Sequence, residues 1–425
     1  MTTSFLRAAA FALAAAASSL AIGSAHAAAD PAAIVKHYAE IAHAKYSDAL
    51  DTAKALDAAV DALVAKPGEE TLKAAREAWL KSRVPYQQTE AYRFGNPIVD
   101  DWEGKVNAWP LDEGLIDYVD PSYGTESDEN ALFVGNVIAN PKLEIGGKTI
   151  DATKITPEEL QELHEAGEVE ANVATGYPAI EFLLWGQDLN GTGKGAGNRQ
   201  ASDYDTANCT NGNCDRRAAY LKAASSLLVT DLEEMVKAWA ADGDATKNVT
   251  SDPKAGITAM LTGMGSLSYG ELAGERMKLG LLLHDPEEEH DCFSDNTHNS
   301  HYYDVVGIQT VYTGEYTRPD GSKLTGPSLS ELVAEKDAAL DTEMKGKLDA
   351  SHAAFKALVD RAEGGEAYDQ MIGEGNEEGN KVVQTAIDSL IDQTKTIERV
   401  IASLDLGKIE LEGSDSLDNP SAVFQ

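Results

Sequence analysis

The chain carries 35 Lys and Arg against 71 Asp and Glu over 425 residues, a formal net charge of −36 with its 9 histidines neutral. That balance excludes a nucleic-acid partner, because phosphate contacts need Lys and Arg, and it disfavours an anionic membrane surface for the same reason. Two readings of the acidity stay open: solubility in a salty or crowded compartment, and attraction of cations.

The first 27 residues read as a secretory signal peptide cleaved after Ala27. Arg7 precedes an Ala/Leu-rich run from Ala8 to Ile22, and Ala25-His26-Ala27 is an A-x-A cleavage site. The run falls short of the ~20 apolar residues that span a bilayer comfortably. No later segment is long and apolar enough, so the mature chain is expected to be exported with no transmembrane segment. Losing Arg7 takes the charge from −36 to −37. The roughly 400 residues that remain suggest two or more domains.

Helical spacing dominates from there. Residues 31–64 place Ile34, Tyr38, Ile41, Tyr46, Leu50, Ala53, Leu56, Val60 and Leu63 on one stripe, and Lys66-Pro67-Gly68 stops the helix. A second helix is expected over 69–93, with Pro85 kinking or dividing it. Residues 94–160 are irregular, but VIANPKLEIGGKTID (137–151) has the alternation and Gly-Gly turn of a short β-hairpin. Helices resume at 157–174 and 178–185. The polar, Gly-rich stretch 186–214 is a long loop or a boundary. Within it, Cys209 and Cys214 of an exported chain read as a disulfide rather than a metal clip. Cys292 is left unpaired, either buried or reactive.

A second helical block begins at Arg216. It includes 221–240, a glycine-rich helix over 253–283, a helix over 328–359 opened by a Ser328–Glu331 capping box, and a last one over 376–404. Residues 284–328 between them are irregular. The expected fold is all-α, with two helical-bundle domains at 28–205 and 206–409, irregular inserts, and a loose acidic tail at 410–425. Tyr86 to Arg93 and Tyr269 to Arg276 have equal spacing, which suggests an internal duplication.

Four stretches could carry chemistry. In RVPYQQTEAYRFG (83–95), Tyr86, Glu90 and Arg93 fall at i, i+4 and i+7, one helical face. The plainer reading is a surface Glu90–Arg93 pair. In GYPAIEFLLWGQD (176–188), Pro178 suits the first turn of a helix, and Glu181 stands alone among Ile180, Phe182, Leu184 and Trp185. A carboxylate there must find hydrogen bonds or a cation; pairing with Arg93 or Arg276 would serve as well as a metal. In MGSLSYGELAGERMKLG (264–280), the glycines point to close packing, while Glu271 and Glu275 at i, i+4 could hold one cation unless Arg276 neutralises them. In HDPEEEHDCFSDNTHNSHYYD (284–304), four histidines are interleaved with Asp291, Asp295 and Asp304. His298 and His301 at i, i+3 are a workable ligand pair if helical, although the spacing matches no zinc finger or HExxH site. The sequence has no G-x-S-x-G, P-loop, GxGxxG or C-x-x-C-H signature.

Together GYPAIEFLLWGQD, NAWPLDEGLIDYVD (107–120), SYGELAGERM (268–277) and HDCFSDNTHNSHYYDVVGIQTVY (290–312) make the chain resemble the imelysin-like proteins over nearly the whole mature length, closest to the iron-regulated protein A branch. The resemblance implies two helical domains with a site between them, the periplasm or outer membrane, and a link to iron acquisition. The family marker is G-x-H-x-x-E. Gly176 and Glu181 match it, and Pro178 stands where its His would be. That departure argues against hydrolysis, since a water-activating metal needs several ligands and a base.

The leading expectation is an exported protein that binds a metal or iron-bearing ligand between two helical domains, without catalysis. Glu181, Glu90, Glu271 and Glu275 would offer hard oxygen ligands, with His298 and His301 a further metal pair. Tyr86, Tyr177 and Tyr269, with Arg93 and Arg276, would contact the ligand. Iron is the expected cofactor and zinc the second choice. The competing expectations are a zinc-dependent metallopeptidase, and a scaffold or adhesion component that meets envelope iron-uptake proteins.

Overall fold

The computed structural model describes residues 28–424 apart from 129 and 146; the expected signal peptide lies outside the described residues. The architecture is all-α with two small hairpins, as the periodicity predicts. Helix α1 (Pro31–Ala65) starts where the Asp30 side chain accepts from the Ala32 N–H at 3.0 Å. Its stripe from Ile34 to Leu63 is buried. Helix α2 (Glu69–Gln87) runs antiparallel to it across the Lys66-Pro67-Gly68 stop.

The helix expected over 69–93 ends at Gln87. Pro85 has no N–H to continue the ladder, and the last carbonyls are met by side chains. Thr89 Oγ1 donates to the Tyr86 carbonyl at 2.6 Å, and Gln88 Nε2 donates to that of Val84 at 3.1 Å. Glu90–Tyr92 is a separate 3-10 turn, so Tyr86, Glu90 and Arg93 do not share a helical face.

Helices α3 (Pro97–Asn107) and α4 (Glu113–Ile116) follow. Strands β1 (Lys142–Ile145) and β2 (Lys148–Asp151) pair antiparallel with Lys142 opposite Asp151, the hairpin expected there. Helix α5 (Pro157–Leu163) stops far short of 174, because Glu165, Gly167 and Glu168 take left-handed backbone conformations. Helices α6 (Gly176–Trp185), α7 (Cys214–Ala238) and α8 (Asp244–Thr250) complete the first bundle. Here α1 packs on α2, α7 and α8, and α6 packs on α2, α3 and α7. Helix α7, which begins beyond the expected division at 205/206, packs on α1.

Helix α9 (Pro253–Ser266) passes without a break into a π-helical segment (Leu267–Leu279) and α10 (Gly280–Leu283). This rod, with α11 (Thr297–Thr313), α13 (Ala338–Glu363) and α15 (Glu377–Ser403), forms the second bundle. Helix α11 also packs on α2, which joins the bundles. Strands β3 (Glu315–Thr317) and β4 (Lys323–Thr325) form a second hairpin that alternation did not reveal. The Ser328–Glu331 capping box is present. The helix expected over 328–359 is nevertheless two, α12 (Leu329–Lys336) and α13, because Asp337 closes one and caps the next through the Ala339 and Leu340 N–H groups, both at 3.0 Å.

Short helix α14 (Tyr368–Ile372) precedes α15, and α16 (Asp415–Asp418) lies in the tail. The tail is docked on the π-helical segment rather than loose. Ser416 Oγ donates to the Gly274 carbonyl at 2.9 Å, Tyr269 OH donates to Asp418 at 2.7 Å, and a Cβ on Gly274 would fall 2.3 Å from that of Ser414. Close packing is therefore the purpose of that glycine.

Candidate functional site

The π-helical turn decides which acids meet. With i→i+5 bonding, Glu271 faces Arg276 rather than Glu275. Arg276 Nε donates to Glu271 Oε1 at 2.9 Å, and Nη2 donates to Glu90 Oε2 at 2.7 Å. Its Nη1 reaches Asp304 Oδ2 at 3.3 Å, from α11. Arg93 Nη1 lies 3.5 Å from the same Glu271 oxygen and 3.7 Å from Glu103. Burial opposes ionisation of Glu271, yet Arg276 and Arg93 hold it below the usual carboxylate range. Burial lifts Asp304 well above that range despite Arg276. Two of the acids expected to hold a cation are thus already paired with a guanidinium.

Glu103, buried beside Arg93, is pushed from its ordinary 4.5 to about 7 by burial and then by the Glu90 charge. A folded-state value above the unfolded one means stability that is complete below about pH 4.5 and is lost as pH rises through about 7, by about 3 kcal/mol at most for a shift of this size. We expect the urea midpoint to fall between pH 5 and pH 8, and Glu103→Gln to remove part of that fall. Equal pH slopes for both proteins would refute the assignment.

A second network surrounds Arg83 on α2. Nη1 donates to Asn107 Oδ1 and Nη2 to Asp291 Oδ1, each at 2.7 Å. The guanidinium lies over the rings of Tyr177, Trp79 and Tyr86, with 5.0, 5.5 and 5.7 Å to the centroids. Asp291 also accepts from Asn296 Nδ2 at 2.8 Å and from Ser300 Oγ. Glu181 is 1 % exposed, and its Oε1 accepts the Ser294 N–H at 2.9 Å. Burial, then the Asp291 charge, raises its pKa well above the usual carboxylate range. Glu181 is therefore held by the 289–296 loop, not by Arg93 or Arg276. Helix α6 can begin at Gly176 because its φ is +75° and a Cβ would sit 2.3 Å from the Val106 carbonyl oxygen. Pro178 occupies the first turn, where no N–H is needed.

The stretch from 289 to 304 concentrates unpartnered polar atoms. Both carboxylate oxygens of buried Glu289, both ring nitrogens of buried His301, and His298 Nδ1, Asp295 Oδ1 and Asp304 Oδ1 have no hydrogen-bond partner. Burial drives His298 down to about 4 and His301 well below 6.5, so both imidazoles are neutral, the form that binds metals.

The family model for imelysin (peptidase M75) matches residues 42–397. The chain belongs to the imelysin family. A crystal structure described as that of an iron-regulated protein A precursor from Parabacteroides distasonis ATCC 8503 is 18% identical, with a TM-score of 0.64, over 90% of this chain and 97% of that one. An imelysin-like protein from Psychrobacter arcticus 273-4 is 17% identical, with a TM-score of 0.56, over 89% and 98%. These likenesses show a shared fold. No curated protein matches the chain.

In this imelysin chain the expected residues separate into groups. Glu90, Arg93, Glu271 and Arg276 meet in the first network. Tyr86, Tyr177 and Glu181 flank the second, with the two tyrosine rings 4.8 Å apart. Glu275 forms no ion pair among the described residues, and Tyr269 is taken up by the tail. His298 and His301 lie on α11, a helix inside the stretch 284–328 that was expected to be irregular, with His301 against the Tyr368 ring at 5.2 Å. Cys209 and Cys214 are bonded, with 5.9 Å between Cα atoms. Cys292 is half-buried, and burial together with neighbouring carboxylates lifts its thiol well above 9.0, which disfavours the reactive thiolate.

Sequence reasoning passed over Asp188, Glu289 and Asp369. Among the described residues, one group of three or more His, Cys, Asp and Glu brings ligand atoms within 4.8 Å of one another: Asp188, Asp295 and Asp369. The run of acids at 286–291 was a signal for Glu289. Nothing local marks Asp369, which reaches the group only through the packing of α14. Among the described residues no helix is long and apolar enough to cross a membrane.

Proposed function

We propose that this imelysin-family protein is exported, is linked to iron acquisition, and binds a metal or an iron-bearing ligand at the seam between its two helical bundles without catalysing a reaction. The observation that supports this most is the set of buried, unpartnered acids and neutral imidazoles on residues 289–304, next to Glu181 and Arg83. Each such group costs about 1–3 kcal/mol if it stays unpaired, and carboxylates with imidazoles are donors suited to iron. One structural relative is described as an iron-regulated protein A precursor, which agrees with this reading. Pro178 in place of the marker His removes a ligand or proton carrier from a hydrolytic site.

The test is calorimetric titration of the mature protein, and of Glu181→Ala, with ferrous iron anaerobically and ferric citrate aerobically. We expect binding by the first and at least about tenfold weaker binding by the second, about 1.4 kcal/mol. No binding, or identical binding by both, would sink the reading. The peptidase model that matches the chain favours one alternative. It predicts zinc-dependent, chelator-sensitive proteolysis that disappears in Glu181→Gln.

A further inference from the structure

We infer that Asp188, Asp295 and Asp369, with Glu289 beside them, form a site for one hard divalent cation of the calcium class that ties the two bundles together. The three aspartates come from separate parts of the chain. Asp188 lies three residues beyond α6, Asp295 just ahead of α11, and Asp369 in α14. Their ligand oxygens nonetheless lie within 4.8 Å of one another. That span is what one cation permits, since calcium–oxygen distances near 2.4 Å allow ligand oxygens up to about twice that apart. Three like charges this close favour a counter-charge. Among the described residues, no Lys or Arg forms an ion pair with any of the three or with Glu289.

A second observation is independent of the clustering. Glu289 is 1 % and Asp369 2 % exposed, and no hydrogen bond of normal geometry reaches either carboxylate; Thr297 approaches Glu289, and the Asp369 and Gln370 N–H groups approach Asp369, only weakly. Both side chains line the same enclosed pocket as Asp188, of about 10 Å³, the size of a single water-sized sphere. Carboxylates withdrawn from water and left unbonded require protonation or a metal. Asp188 is oriented for the role by Asn190, whose N–H and Nδ2 donate to Oδ1 at 2.9 and 2.6 Å. The donors named are all oxygen, which selects calcium, magnesium or manganese over softer metals.

This shares Glu289 and Asp295 with the preceding reading and goes beyond it, because it needs neither iron nor Glu181. The mature full-length chain would be stripped with chelator, freed of iron, and titrated with calcium, then magnesium and manganese, by calorimetry and by thermal unfolding. We expect uptake of one tight equivalent of calcium and a rise of several degrees in Tm. Asp369→Asn and Asp295→Asn should each weaken uptake at least about tenfold. Asp242→Asn, an exposed acid that tests bulk charge, should not. A crystal grown with manganese, read at the manganese edge, covers the case in which a variant fails to fold; metal between Asp188, Asp295 and Asp369 supports the site. Absence of metal there, no Tm shift with any of the three cations, or equal weakening by Asp242→Asn would each overturn it. Because iron is excluded throughout, failure here leaves the iron titration unaffected.

Discussion

Arg276→Met is expected to lower the free energy of unfolding by about 3–5 kcal/mol, the range found when one partner of a buried ion pair is removed. Arg276 is 3 % exposed and serves carboxylates from three elements: Glu90 on the 3-10 turn, Glu271 on the π-helical segment and Asp304 on α11. Methionine fills much of the same space but leaves those acids facing one another out of water. A loss of this size is a large part of the 5–15 kcal/mol typical of a folded domain. The sign with pH follows from Asp304, whose folded pKa lies above its unfolded value. Its protonated form is tolerated when buried, so the variant should recover stability as pH falls. Urea unfolding at pH 5 and pH 8 measures both effects, and a variant within about 1 kcal/mol of the parent at pH 8 would show that the network is solvated.

The second large effect is expected at Asp291, 1 % exposed. It takes one arm of Arg83 and holds Asn296 and Ser300, so it fastens the 289–296 loop and the start of α11 to α2. Asp291→Ala leaves Arg83 buried among Trp79, Tyr86 and Tyr177 with only Asn107 to bond. The loss should again be about 3–5 kcal/mol. It should also be local: amide exchange at 289–301 should quicken more than in α13 or α15, which do not touch this network. Uniform loss of protection across the chain would instead assign Asp291 a global role.

Much of the fold was legible because helices answer to local rules. Periodic apolar residues located α1, α7, α9, α13 and α15, and the Cys209–Cys214 spacing predicted the disulfide. A boundary misread was that of α2. Its end depends on Pro85 together with side chains that take the last carbonyls, including Lys45 Nζ from α1, which donates to the Gln88 carbonyl at 3.0 Å. The widening of the rod at 267–279 also escaped periodicity, and with it the pairing of Glu271 to Arg276 in place of Glu275.

The sequence by itself determined an all-α imelysin-type chain, the interruption of the G-x-H-x-x-E marker at Pro178, and a lone acid in an apolar helix at Glu181. Each is a property of neighbours in the chain. Only the tertiary structure decided which charges meet. Glu90 and Glu271 are neutralised by Arg276, whereas Asp188, Asp295 and Asp369 converge with no cation of the protein's own. The reason is that a carboxylate's role depends on what lies within a few ångströms of it once water is excluded. Most of those partners lie tens to hundreds of positions away, where no local pattern records them; Arg276 is only five residues from Glu271, and there the π-helical turn sets the pairing.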